Sequence, residues 1–254
     1  MSQVEDPGNQ RPAADAAASR ADGPGDAPLT HWRSPPRPSQ EALPGRYCRV
    51  EPLVVERHAR DLHAANSLDS AGRMWTYLAY GPFTDEATYA AWVSERERSA
   101  DPQFFAIVDG TSGRAVGVAS YLRIDPPNGV IEVGHLAYSP RLQRTIAATE
   151  AMYLMMQHVF ELGYRRYEWK CSARNQGSRR AALRLGFTFE GVFRQHMIYK
   201  GLNRDTAWYS ILDSEWPAVR AGFERWLDSS NFDADGRQRR SLESCRADVG
   251  ERDR

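Results

Sequence analysis

Charge of one sign is missing from this sequence: 33 Lys+Arg stand against 33 Asp+Glu over 254 residues. That balance argues against a broad electrostatic grip on nucleic acid or on an anionic lipid surface. No stretch approaches the ~20 consecutive apolar residues that a membrane-spanning helix needs, so no membrane partner is expected. The acidic, polar start MSQVEDPGNQ has neither the basic end nor the apolar run of a secretory signal, and the expected compartment is the cytoplasm. Cysteine is sparse. Cys48, Cys171 and Cys245 are far apart and form no CxxC pair, which points to free thiols rather than a disulfide framework. Without HExxH or paired-cysteine spacing, no metal is expected. Lysine is nearly absent, with Lys170 and Lys200 the only two among the basic residues. A GC-rich coding sequence accounts for that bias, and no function follows from it.

Eight of the 15 prolines precede residue 45, in a segment rich in Ala, Gly, Asp and Ser. Such a composition buries too little to offset its ordering entropy, and residues 1–43 are expected to be a disordered extension. Residues 229–254 are polar and charged with Phe232 as their one aromatic, and are expected to be a disordered tail. Between them, 46–228 is the size of one domain. Its periodicities predict strands over 47–52, 104–108, 115–122, 129–138, 165–171, 187–199 and 206–212. Helices are predicted over 56–67, 142–162 and 176–185, with one starting near Thr84 as cap and a last one capped by Ser214. Neighbouring strands interrupted by single helices imply an α/β, mixed α+β fold: a central, mostly antiparallel mixed sheet of about seven strands flanked by helices.

Two stretches carry chemistry. In EVGHLAYSPRLQRTIAATEA, Glu132 to Ala151, a strand turns tightly into an apolar helix, leaving free backbone N–H groups that suit an anion. In ARNQGSRRAALRLGF, Ala173 to Phe187, a strand end leads through Asn175 and Ser178 into a short helix closed by Gly-Phe. Together these resemble the GNAT superfamily of acyl-CoA-dependent N-acetyltransferases, and the Asn-x-x-Ser helix ending in LGF is most similar to its ribosomal-protein N-terminal acetyltransferase branch. The resemblance covers roughly residues 46–217.

The resemblance implies the GNAT fold, with acetyl-CoA as co-substrate between the strands 131–138 and 165–171. The backbone of Leu136, Ala137 and Tyr138 would meet the thioester arm, and Leu136 N–H would meet the developing oxyanion. Gln143, Arg144, Thr145, Ile146, Ala147 and Ala148 would meet the pyrophosphate. Ile146 stands where the family has glycine, and ordinary helical dihedrals there would lessen the cost of that change. Ser178 matches the position of a hydroxyl near the CoA sulfur, while the tyrosine of many other members aligns with Ala182. Asn175 would bond backbone or pantetheine amides, and Arg174, Arg179, Arg180 or Arg184 the 3′-phosphate.

Three residues are candidates for the general base: Glu132, His135 beside an expected strand irregularity at Gly134, and His196 on the penultimate strand. A water chain is a fourth route. Ser178 reads equally as a helix cap. Trp75 and Tyr77 lie in an aromatic loop suited to acceptor selection, and Arg194 would suit the extra carboxylate of a succinyl group. Cys171 faces the apolar side of its strand and is read as structural. The expected partners are an acyl-CoA and an amine acceptor, either a small molecule or a protein N-terminus, with the chain a monomer or homodimer. The alternatives are a non-catalytic acyl-CoA-binding or interaction protein and a succinyl-CoA-dependent N-acyltransferase.

Overall fold

Residues 29–252 are described by the computed structural model; those from Ser34 onward form one folded unit, and the short turn before it belongs to another. In the folded unit the chain runs β1 (Leu43–Pro44), β2 (Cys48–Pro52), α1 (Val55–Asn66), α2 (Glu86–Glu97), β3 (Gln103–Asp109), β4 (Ala115–Asp125) and β5 (Val130–Tyr138). It continues through α3 (Ile146–Glu161), β6 (Arg166–Ser172), α4 (Gln176–Leu185), β7 (Thr188–Tyr199), β8 (Leu202–Leu212), α5 (Trp216–Leu227) and α6 (Leu242–Arg252). The strands form one sheet in the order β1-β2-β3-β4-β5-β6-β8-β7. Only the β5–β6 pairing is parallel, and α3 is the crossover that a parallel pair requires.

Strict alternation in β3 divides the core in two. Phe104, Ala106 and Val108 pack with α1 and α2, while Phe105 and Ile107 pack on the other face with α3 and α5. Residues buried on both faces explain why this strand reads as a continuous apolar run. Asp85, rather than Thr84, caps α2 by accepting the Thr88 N–H at 2.8 Å. The last domain helix starts at Glu215 without a side-chain cap, so Ser214 does not have that role. Helix α3 starts at Ile146, four residues later than its apolar pattern suggests, because Thr145 caps it and residues 139–145 are spent on a turn.

Three boundaries differ from expectation. The sheet has eight strands instead of about seven, and the extra one, β1, comes from the end of the segment expected to be disordered. Residues 1–28 lie outside the described part of the chain. Residues 34–44 are held by distant polar groups: the Gln103 amide donates to the Ser39 carbonyl at 3.0 Å and Arg37 donates to the Ala100 carbonyl at 2.9 Å. Just after them, the buried Glu150 carboxylate accepts the N–H groups of Arg46, Tyr47 and Cys48 at 2.9, 2.6 and 2.8 Å. Gly45 is required at that site, since a Cβ there would stand 2.6 Å from the Glu150 carboxylate. The tail after 228 also folds back. Leu242 and Cys245 of α6 are buried, the Asn231 side chain donates to the Trp226 and Arg240 carbonyls, and Arg246 donates to the Leu183 and Arg184 carbonyls at the end of α4. Two apolar anchors and a set of long-range hydrogen bonds leave no periodic signature in sequence. No helix among the described residues is long and apolar enough to cross a membrane.

Candidate active site

Register places the site. Strands β5 and β6 pair from Val130↔Arg166 to Val133↔Trp169 and then part. On its other side β5 bulges: Gly134 faces Ser120 and Ala137 faces Val118, so three steps on β5 match two on β4. His135 takes up the difference at φ +52°. The backbone of His135 and Leu136 is therefore released from regular pairing on both edges, which is where bulges re-aim a strand toward a site. A cleft of about 1110 Å³ opens through the sheet at this gap.

Most of the residues expected to contact an acyl-CoA line this cleft. On β5 these are Leu136 and Tyr138; in the following turn Gln143, Arg144, Thr145, Ile146 and Ala148; at the start of α4 Asn175 and Ser178. Ala137 and Ala147 are instead buried in the core. The left-handed residue of the turn is Arg144, at φ +63°, whereas Ile146 is the first residue of α3 and packs partly against the core. Glycine is thus not demanded at 146. Gln143 donates to the Tyr138 carbonyl at 2.7 Å, and Thr145 Oγ1 accepts the Ala148 N–H at 3.1 Å, so the turn is braced from both ends. A non-glycine residue in the left-handed region costs about 1–2 kcal/mol. Arg144→Gly is expected to raise Tm by about 2–4 °C in a thermal scan; an unchanged or lower Tm would mean that contacts of the arginine side chain outweigh the backbone strain.

At the start of α4 the cap is Asn175, whose Oδ1 accepts the Ser178 N–H at 3.0 Å. Ser178 is therefore not the cap. Its Oγ accepts the Trp169 indole N–H at 2.9 Å, which orients the hydroxyl and leaves its own proton for another acceptor, with Cys171 Sγ within hydrogen-bond reach. Burial pushes the nearby Cys171 thiol up, away from the thiolate form a nucleophile needs.

The opposite mouth is set by strand alternation. Trp169 and Cys171 face the α3 side of the sheet. The intervening Lys170, with Glu132 on β5 and Thr206 and Trp208 on β8, faces the α1/α2 side, where Lys170 Nζ lies 3.7 Å from the Trp208 ring centre. Glu132, only 4% exposed, is paired with Arg123 and lies 3.0 Å from Lys170 Nζ. Both cations thus hold its carboxylate. His135 sits between Phe104 and Tyr80, with ring centroids 5.0 and 5.7 Å away. Burial, reinforced by the charges of Arg96 and Arg123, pulls its pKa down to about 4. His196 occupies a second strand irregularity, on β7 between Phe193 and Met197, and its Nδ1 lies 3.0 Å from Thr206 Oγ1.

The residues expected to select the acceptor separate. Tyr77 lines the cleft, and its hydroxyl donates to the Arg174 carbonyl at 3.3 Å, linking the 73–80 loop to the start of α4. Trp75 is 3% exposed and packs edge-on against Tyr80 and Phe83, so it anchors the loop instead of facing the cleft. Arg194 is exposed on β7 outside the cleft lining. Of the four arginines expected near a 3′-phosphate, Arg184 lines the cleft; Arg179 is engaged by Tyr209 Oη at 3.0 Å, and Arg174 and Arg180 lie outside the lining.

Several lining residues escaped sequence reasoning. Phe232, Arg237 and Gln238 reach the α3/α4 mouth from the tail, where Gln238 Oε1 accepts the Trp226 indole N–H at 2.8 Å. That mouth carries Arg144, Arg184 and Arg237; the other carries Arg73, Arg123, Lys170 and Arg204, with Glu132 as the one carboxylate of the lining. A chain of zero net charge therefore holds a strongly cationic cleft. The motif windows stop before 204 and the last strand is predicted only from 206, so nothing in the sequence pointed to Arg204; β8 in fact starts at Leu202.

A family model described as the acetyltransferase (GNAT) domain matches residues 49–188. A GCN5-related N-acetyltransferase structure from Brucella melitensis superposes with a TM-score of 0.85 at 48% identity, covering 86% of this chain and 100% of that one. An acetyltransferase of the GNAT family from Chromobacterium violaceum superposes with a TM-score of 0.71 at 39% identity, covering 78% of this chain and 100% of that one. The ribosomal-protein-serine acetyltransferase of Escherichia coli is 34% identical over 103 residues, which span 39% of this chain and 56%, about half, of that protein.

Proposed function

The chain belongs to the GNAT acetyltransferase family, and we propose that it transfers the acetyl group of acetyl-CoA to a primary amine by direct attack, without a covalent enzyme intermediate. The observation that carries this reading is the cleft through the sheet at the β5–β6 splay, with anion-suited donors at one mouth and a base-bearing pocket at the other. The first-turn N–H groups of α3 and the cations Arg144, Arg184 and Arg237 suit a pyrophosphate and a ribose phosphate. The loosened Leu136 N–H on the bulge suits the charge that develops on the thioester carbonyl oxygen. Ser178 delivers a proton to the departing thiolate.

His196 takes the proton that the amine nitrogen loses as its bond to carbon forms and the carbon–sulfur bond breaks. His135 is too weak a base for that task near neutral pH, and one oxygen of Glu132 is engaged by two cations. A base must be unprotonated to act, so kcat/KM is expected to carry an acid limb. His196→Gln is expected to lower kcat/KM about 100-fold and to remove this acid limb. His135→Asn keeps the limb in place, because His135 protonates only near pH 4. A limb that moves with His135 and ignores His196 would reverse the assignment.

Calorimetric titration of the full chain with acetyl-CoA, CoA and succinyl-CoA tests the cofactor assignment. Saturable binding with acetyl-CoA preferred, followed by CoA release in the presence of an amine, is the expected result. Absence of binding to every CoA species would overturn it.

A further inference from the structure

We infer that the acceptor is a compact amine that also carries an anionic group, a carboxylate or phosphate, within a few bonds of its nitrogen, and that Arg204 is the residue that holds this group. The inference rests on the reading of the cleft as an acetyltransferase site and narrows its second substrate.

Arg204 and Thr206 are two apart on β8, so they share the sheet face of Glu132 and Lys170 and stand roughly 7 Å apart. Thr206 is the partner of His196, the residue assigned to take the amine proton. An anion gripped by Arg204 is therefore within a few bonds of an amine poised at His196. Arg204 is half-buried in the cleft wall, its guanidinium 5.3 Å from the Tyr199 ring centre. Its Nε is buried without a hydrogen-bond partner, and so is the Tyr199 hydroxyl beside it.

Among the described residues Arg204 has no ion-pair partner. The adjacent carboxylate, Asp205, is taken up by the Gln195 N–H at 2.8 Å and the Asn203 amide at 3.0 Å. Glu132 is held by Arg123 and Lys170. Buried donors left unpaired are costly, and a guanidinium fork set in a cleft wall matches a carboxylate or phosphate in two-point geometry. Arg73, exposed at the same mouth, adds to the attraction.

The test compares matched acceptors by CoA release: α-amino acids against their α-amides, and phosphoethanolamine against ethanolamine. The anionic member of at least one pair is expected to be preferred by about 100-fold in kcat/KM, and the pair that shows it identifies carboxylate or phosphate as the group. In Arg204→Gln the preference collapses to within a few-fold through a rise in KM with kcat little changed, while Arg204→Lys restores part of it. Saturation-transfer NMR of the same amines with the protein alone gives a second readout that needs no CoA: the anionic amines bind wild type and not Arg204→Gln. Equal use of charged and neutral members, or equal losses for both in Arg204→Gln, overturns the proposal. Failure of acetyl-CoA to bind, with anionic amines still captured through Arg204, overturns the acetyltransferase reading instead.

Discussion

Ser178→Ala lowers kcat about 100-fold and leaves the Kd for acetyl-CoA within about twofold of wild type. The physical ground is the direction of one hydrogen bond. The Trp169 indole has no acceptor capacity, so at 2.9 Å it must donate, and Ser178 Oγ must accept. The hydroxyl proton is thereby left for another acceptor, Cys171 Sγ in the resting site and the departing sulfur in the reaction. A positioned general acid contributes roughly 10²–10⁴-fold. Because the proton is needed only as the carbon–sulfur bond breaks, the loss falls on kcat and not on ground-state binding. Trp169→Phe keeps the hydroxyl and removes what orients it, and a loss of about tenfold is expected. Single-turnover rates with calorimetric Kd values check both variants; an unchanged rate in Ser178→Ala would remove the hydroxyl from the reaction.

Lys170→Met destabilises the fold by about 3–5 kcal/mol, the range found when one member of a buried ionic group is removed. Lys170 Nζ lies 3.0 Å from Glu132 and 2.7 Å from Glu168, and all three side chains are less than a tenth exposed. Methionine replaces the stem but not the charge, leaving two buried carboxylates with one cation each, Arg123 and Arg166. For a domain of this size, a loss of 3 kcal/mol lowers Tm by about 6–12 °C. A triple variant, Lys170→Met with Glu132→Gln and Glu168→Gln, is expected to recover more than half of that loss, because no buried carboxylate is then short of a cation, while Arg123 is half exposed to water and Arg166 keeps Glu190. A wild-type Tm in Lys170→Met would show that the two arginines suffice.

Much of the site was legible because its parts are contiguous in sequence. Residues 132–148 contain a strand, a turn and a helix start; residues 173–187 contain a strand end, a cap and a glycine stop. Each window has its own local signature of alternation, capping residue or apolar period, and the resemblance to the family rests on the same windows. Even so, the windows did not say whether Ser178 or Asn175 is the cap, since both have the side-chain chemistry for it. They also did not say which residue of the 143–146 turn takes the left-handed conformation.

The misplaced boundaries share one cause. Residues 34–44 and 229–247 have too little apolar content to form a core of their own. They are ordered by hydrogen bonds to groups far along the chain, such as the Gln103 amide and the Ala100 carbonyl, or by reaching across to α4, as Arg246 does. Composition measures what a segment brings with it and says nothing about what the rest of the fold offers it.

The sequence by itself determined the order of strands and helices from β2 to α5 and the tight turn from β5 into α3, because each follows from periodicity or side-chain type over a few neighbouring residues. The tertiary structure alone decided which partners surround each of the three candidate bases, that the tail walls the cleft, and that seven cations line it in a chain of zero net charge. The reason is electrostatic and geometric: a sum of charges is blind to position, and the partners of a carboxylate or imidazole are those that the pairing of β5, β6, β7 and β8 brings within about 3 Å.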